Sequence, residues 1–287
     1  MTVLTYQSKD LFESAAARAH RADIGTTAIW HFVGSGSRVL FVHGFRGDHH
    51  GLQAIVGALP DYQCVVPDLP GFGASVALQS HDLQSYGKWL VDLVAETGPF
   101  DAIVGHSFGT LVVANALSQG LKQETVVLIN PITTRASGVK SIANRGAELY
   151  YRLGMNSLFG NWLLSSGLVT RAMSIALTKS LQPSIRRFAH DQHAKYFSGF
   201  HSQKSVVEGF HAANTACVTD FEAHLPDRTL MISGDSDVVA PLPATVQLVA
   251  KNPNWKLVTL NKVGHLTHYE KPADVARAIS NFIESHD

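Results

Sequence analysis

Seven short runs rich in aliphatic and β-branched residues recur along the chain with helical patterns between them: TTAIWHFV (26–33), RVLFVHG (38–44), QCVVPDL (63–69), DAIVGHS (101–107), TVVLINP (125–131), TLMISGD (229–235) and KLVTLNK (256–262). Several are apolar at consecutive positions instead of alternating. That pattern suits parallel strands covered on both faces by helices, because a strand with one wet face alternates. Helical patterns fall at 82–96, 108–119, 243–252 and 272–285. Strand and helix thus alternate, which predicts a doubly wound, mostly parallel central α/β sheet.

The alternation stops between Ile132 and Leu225, where segments such as SIANRGAELYYRLG (141–154), GLVTRAMSIALTKSL (167–181) and PSIRRFAHDQHAKYF (183–197) follow one another without strands. The sequence therefore predicts a core of residues 1–131 and 226–287 with an all-helical insertion over 132–225. At 287 residues and 45% hydrophobic content, the chain is long enough for one sizeable core plus such an insertion.

Lys plus Arg and Asp plus Glu each total 23, so no net charge favours nucleic acid or an anionic membrane surface. The insertion is the exception, with ten basic against five acidic residues. Lys9, Asp10 and Glu13 interrupt the N-terminal stretch where a secretory signal needs an apolar run, and no run reaches membrane-spanning length. The expectation is a cytoplasmic protein without stable membrane association. Cys64 and Cys217 are the two cysteines; Cys64 sits in a strand pattern, which predicts a free thiol.

One strand–helix junction carries chemistry. In GHSFG, Gly105 and Gly109 flank Ser107 where an apolar strand turns into a helix. A sharp turn of this kind strains its corner residue, requires small neighbours, and lifts the serine hydroxyl above the strand ends. The Phe108 amide, opening the helix, faces an oxygen bound beside Ser107. A serine needs a base, and the base an orienting acid. His265, after a strand and a glycine in NKVGHLTHYEKP, is the expected base, with His268 next to it as the alternative. In MISGDSDVVAP, Asp237 is preferred over Asp235 because Val238, Val239 and Pro241 follow and can bury its carboxylate. Asn130 ends its strand without offering a carboxylate. The turn FVHGFRG supplies a second amide donor at Phe45 after Gly44, with His43 as a structural hydrogen-bonding residue. Asp48, His49 and His50 have metal-ligand chemistry, but adjacent side chains are expected to diverge, and no metal site is assigned.

Taken together, HGFRG (43–47), DLPGFGAS (68–75), GHSFG (105–109), GDSDVVAP (234–241) and GHLTHYEKP (264–272) resemble the α/β-hydrolase fold superfamily in both content and order. The resemblance covers nearly all of the chain except the insertion, which corresponds to the family's helical lid. It implies Ser107 as nucleophile, His265 as base, Asp237 as acid, and the Phe45 and Phe108 amides as an oxyanion hole, with Asp68 structural. Ser107 at the elbow argues against haloalkane dehalogenases and epoxide hydrolases, which carry Asp there. The Arg and Asn pattern usual in carbon–carbon bond hydrolases is not found.

The implied activity is hydrolysis of a small-molecule carboxylic ester through an acyl-enzyme, with no metal or organic cofactor. Carbon–carbon hydrolases, lyases and acyltransferases on the same scaffold, or a ligand receptor that retains the three residues, are the alternatives. For substrate contacts the sequence offers Arg46 beside the oxyanion turn, and Trp162 and Phe197 among the insertion's aromatic residues. Arg186, Arg187, His190, His193 and Lys195 form a basic run, expected as a solvated helix face.

Overall fold

Strand β3 (Arg38–Val42) shows why the strand runs are apolar throughout. Val39 and Phe41 point into one hydrophobic cluster while Leu40 and Val42 point into another on the opposite face. The same division holds for β5 (Ala102–His106) and β6 (Thr125–Ile129). A computed structural model describes residues 7–135, 142–156, 158–197 and 199–285; Ser141, the first residue of the expected 141–154 helix, lies outside them.

The sheet has eight strands in the order β1-β2-β4-β3-β5-β6-β7-β8, completed by β1 (Ala19–Ile24), β2 (Thr27–Phe32), β4 (Gln63–Pro67), β7 (Arg228–Gly234) and β8 (Lys256–Leu260). From β4 to β8 all neighbours are parallel, and β1 and β2 are antiparallel additions at one edge. All seven expected strands are present. β1 was not expected: its sequence, AHRADI, is polar and four of its six residues are exposed. Charged side chains such as Arg21 and Asp23 suit a sheet edge, where they discourage pairing with another chain.

Helices α1 (Ser8–Ala16), α2 (Gln53–Gly57) and α12 (Pro272–Glu284) cover one face. On the other lie α3 (Leu83–Thr97), α4 (Phe108–Ser118) and α10 (Leu242–Val249). Between β6 and β7 the elements of the described residues are helices, apart from a single bridge of Phe200 to Phe72: α5 (Ile142–Gly154), α6 (Gly160–Leu164), α7 (Gly167–Leu177), α8 (Pro183–Tyr196), α9 (Gln203–Thr215) and a 3₁₀ segment (Val218–His224). The ends of this insertion lie side by side, with the Val218 amide donating to the Ile132 carbonyl at 2.7 Å and the Thr219 hydroxyl to Thr133 at 2.9 Å. Cys64 and Cys217 are free thiols. Among the described residues no helix is long and apolar enough to cross a membrane.

Parallel pairing fixes where chemistry can gather. Val42 lies opposite Gly105, His106 opposite Ile129, Ile129 opposite Ile232, and Gly234 opposite Leu260. Five loops therefore leave the same edge of the sheet, the usual place for sites in open α/β folds.

Candidate active site

Ser107 is the corner between β5 and α4 and adopts φ 52° and ψ −118°, a conformation an L-residue holds only under structural constraint. Its amide donates to the Ile129 carbonyl at 2.9 Å, and its carbonyl accepts from the Thr110 amide at 2.9 Å and from the Thr110 hydroxyl at 2.6 Å. The glycines make room for this turn. A methyl group on Gly109 would lie 2.2 Å from the Val42 carbonyl oxygen, and one on Gly105 would lie 2.6 Å from that of Gly109.

From this corner the Ser107 hydroxyl reaches His265 Nε2 at 2.7 Å. His265 Nδ1 lies 2.8 Å from Asp237 Oδ2. All three residues are buried. An ionised Asp237 accepts a hydrogen bond from Nδ1–H, which leaves the Nε2 lone pair to accept from the serine. The Asp237 carboxyl is held below its ordinary range: burial pushes it up, but the neighbouring His265 and the Ala240 and Val239 amides outweigh that. Those amides bond to Oδ1 at 3.0 and 2.8 Å. The expectation that valine side chains bury the acid is corrected here, since Val238 and Val239 are themselves 62% and 45% exposed. It is the backbone turn that grips the carboxylate. Asp235 is exposed and accepts from the Lys262 amide at 2.8 Å, away from His265.

Asn130, passed over in the sequence for lacking a carboxylate, is the main residue the sequence reading missed. It sits at φ 47° after β6, and its Nδ2 donates to Asp237 Oδ2 at 2.7 Å while its Oδ1 accepts from the Thr267 hydroxyl at 2.6 Å. Its position at a strand end, level with Ser107, is the signal that marks it.

Gly44 brings the second turn against the serine. A methyl group there would stand 3.2 Å from Ser107 Cβ and 3.1 Å from His106 Nδ1. His43 fixes this turn as a hydrogen-bonding residue: its Nε2 accepts from the Leu69 amide at 2.8 Å, so Nδ1 carries the proton and donates to the Gly44 carbonyl at 2.8 Å. The Phe108 amide lies in the first turn of α4, where amides have no intrahelical acceptor. Phe45 follows Gly44 in the adjoining turn, and its ring packs edge-on against Phe108 at 6.3 Å.

A cavity of about 350 Å³ opens beside these residues, lined by Ser107, His265, Phe45 and Phe108 and by the insertion's Tyr151, Phe197 and Phe210. Phe197 is therefore at the cavity. Trp162 and Arg46 are not. Trp162 is 72% exposed and outside the lining. Arg46 is buried under the insertion, where its guanidinium donates to the Leu164 carbonyl at 2.5 Å and stacks 4.9 Å from the Phe197 ring. Its long side chain ties the Gly44–Gly47 turn to α6. The basic run also divides, with Arg187 and Lys195 exposed but His190 and His193 buried. It is not one solvated face.

Asp48, His49 and His50 converge instead of diverging, with a ligand-type atom of each within 4.8 Å of the others. Their bonds are internal. Asp48 caps the 3₁₀ turn His49–Leu52 by accepting from the His50 amide at 3.0 Å, and His49 Nδ1 bonds Asp68 at 2.8 Å. Asp68 also accepts from the His49 and Ala74 amides, at 2.8 and 2.9 Å, which identifies it as the hub of the DLPGFGAS loop.

A family model described as the alpha/beta hydrolase family matches residues 39–278. The chain belongs to the alpha/beta hydrolase family. This alpha/beta hydrolase is 24% identical, over 88% of its length and 93% of the relative's, to a Bacillus subtilis protein named uncharacterized hydrolase YugF. It is 26% identical to 2-hydroxymuconate semialdehyde hydrolase of Pseudomonas putida, over 98% of this chain and 97% of that one. Among solved structures it is similar in fold to a bromoperoxidase from Bacillus anthracis (TM-score 0.73, 19% identity, 93% and 100% of the two chains). It is likewise similar to a thermophilic esterase from Thermogutta terrifontis (TM-score 0.71, 22% identity, 92% and 98%).

Proposed function

We propose that this alpha/beta hydrolase cleaves carboxylic esters through an acyl-enzyme formed on Ser107. The observation that carries the reading is the unbroken line from the Ser107 hydroxyl through His265 to Asp237, at 2.7 and 2.8 Å. His265 Nε2 takes the hydroxyl proton as Ser107 Oγ bonds to the ester carbonyl carbon. The tetrahedral oxyanion is held by the Phe45 and Phe108 amides. Collapse breaks the bond to the leaving oxygen, which receives the proton from His265 and departs as the alcohol. Water then repeats the sequence and frees the acid.

The cavity's chemistry supports an uncharged substrate: among the described residues no Lys or Arg lines it. Residues 132–225 act as a lid in this reading, supplying Phe197 and Phe210 to the cavity. A second reading, cleavage of a carbon–carbon bond, is favoured by the similarity to 2-hydroxymuconate semialdehyde hydrolase. The test is a panel of short 4-nitrophenyl esters assayed with the wild type and with Ser107→Ala. Turnover by the wild type that Ser107→Ala lacks supports the reading. Equal turnover by both removes Ser107 from the chemistry, and a wild type inert on esters but active on 2-hydroxymuconate semialdehyde supports the second reading.

A further inference from the structure

The polar side chains of the cavity are not all engaged in the chemistry. His193 of α8 and His268 of α11 (Thr267–Glu270) both line it, one from the insertion and one from the core. In each ring Nδ1 is buried without a hydrogen-bond partner. A buried polar atom left unpaired costs about 1–3 kcal/mol, so such atoms are uncommon in folded proteins. Nδ1 is closed to the cavity, so Nε2, which no described residue bonds, is the atom of each ring that a guest can reach.

Ring contacts divide the lining into two sets. Phe45 packs with Phe108, Tyr151 and Phe210, at 6.3, 5.9 and 6.5 Å, and forms an apolar side against the oxyanion turn. His193 and His268 both pack on the Tyr269 ring, at 5.7 and 4.0 Å, and the Tyr269 hydroxyl lies within electrostatic reach of Asp48 and Tyr196. The His106 ring joins this polar side to the reacting centre, 4.2 Å from His268 and 5.7 Å from His265.

We propose that His193 and His268 form a subsite that binds a hydroxyl group of the substrate, several carbons from the scissile carbonyl. The inference rests on the ester reading for which bond is cut, not for what the subsite binds. A hydroxyl both donates and accepts, which matches two imidazoles whose tautomers no protein partner fixes. Both rings are neutral near pH 7: burial, followed by His190 and His265, pushes His193 down to about 4, and burial, followed by His106 and His193, holds His268 well below its ordinary value. A carboxylate is disfavoured at this wall, because Asp48 also lines the cavity and no Lys or Arg among the described residues does.

Two matched pairs of esters test it: methyl hexanoate against methyl 6-hydroxyhexanoate, and hexyl acetate against 6-hydroxyhexyl acetate. In at least one pair the wild type should prefer the hydroxylated member by about tenfold in kcat/KM, carried by KM, as one recovered hydrogen bond implies. That preference, read as a ratio within each variant, should fall toward one in His193→Phe and His268→Phe, and His193→Gln should restore part of it. Calorimetric binding of the same pairs to Ser107→Ala reads the subsite without turnover. Discrimination there supports the subsite even if the wild type hydrolyses neither pair, and the ester reading itself stands or falls separately on the 4-nitrophenyl panel. Equal affinity within both pairs for Ser107→Ala, or a preference that survives both Phe variants, overturns the subsite whatever the hydrolysis rates.

Discussion

One oxygen of Asp237 serves two partners: Oδ2 accepts from Asn130 Nδ2 at 2.7 Å and faces His265 Nδ1 at 2.8 Å. Asn130 is thus a positioning residue that holds the carboxylate in line with the imidazole. Asn130→Ala should lower kcat by about ten- to a hundredfold with KM little changed, the usual scale when an orienting partner is lost. Asn130→Asp should cost more, because a second carboxylate would repel the first and raise its pKa. Steady-state kinetics on a 4-nitrophenyl ester across pH 5–9 distinguishes them: the Asp variant should gain an acid-side loss of activity that the Ala variant lacks.

Asp237→Asn should reduce kcat by roughly 10⁴-fold while leaving the fold intact, since the amide cannot fix the imidazole tautomer that accepts the serine proton. Asp235→Asn, at an exposed side chain that accepts from the Lys262 amide and has no bond to His265, should change kcat less than threefold. Near-equal losses in the two variants would contradict the assignment of the acid.

Gly44 and Gly109 should fail in different ways. The methyl of Gly109→Ala would collide with the Val42 carbonyl at 2.2 Å, deep in the strand–helix contact, so low soluble yield and a large fall in Tm are expected. The methyl of Gly44→Ala meets Ser107 Cβ at 3.2 Å, a contact that a small shift relieves. That variant should fold, yet lose about a hundredfold in kcat as the Phe45 amide moves from its place. Circular dichroism and ester kinetics on the same samples check both.

Asp68 should matter for stability, not for chemistry. Burial raises its pKa, but the hydrogen bond and charge interaction with His49 outweigh that and hold it at about 2, against an ordinary 3.8. A carboxyl depressed in the folded state stabilises fully above its unfolded pKa and loses that contribution as pH falls through the folded one. The window here is therefore about pH 4 down to 2, worth about 2 kcal/mol. Asp68→Asn should lower Tm at pH 7 and flatten the acid limb of a urea-denaturation series; an unchanged acid limb would contradict the assignment.

Trp162→Ala should leave kcat/KM on short esters within twofold, because the ring is exposed and outside the cavity. Phe197→Ala should raise KM several-fold for apolar esters, through lost packing at the lining.

How far the sequence could be read depended on the range over which each feature is determined. The strands were legible because burial on both faces leaves a continuous apolar run, and Ser107, Asp237 and His265 because each follows such a run within a few residues. Asn130 was not, since its role needs the β5–β6 register and the turn at Asp237 together. Arg46 misled for a related reason: a charge beside a reactive turn suggests a substrate contact, but the Leu164 carbonyl that claims it is 118 residues away. β1 was hidden by polarity, the property that suits it to a sheet edge. His268 read as an alternative base and His193 as part of a basic run, because being unpaired is a property of their surroundings and leaves no local mark.

Glu270 ends the segment that begins at Gly264 and carries His265 and His268. Its Oε1 accepts from the Gly264 amide at 3.3 Å, while Oε2 accepts from the Lys179 amide at 3.0 Å and from the Ser180 amide in the turn between α7 and α8. One carboxylate therefore ties the turn between α7 and α8 to the strip that bears the imidazole. Displacing that turn would pull on the strip from which His265 projects, so the two positions are mechanically linked.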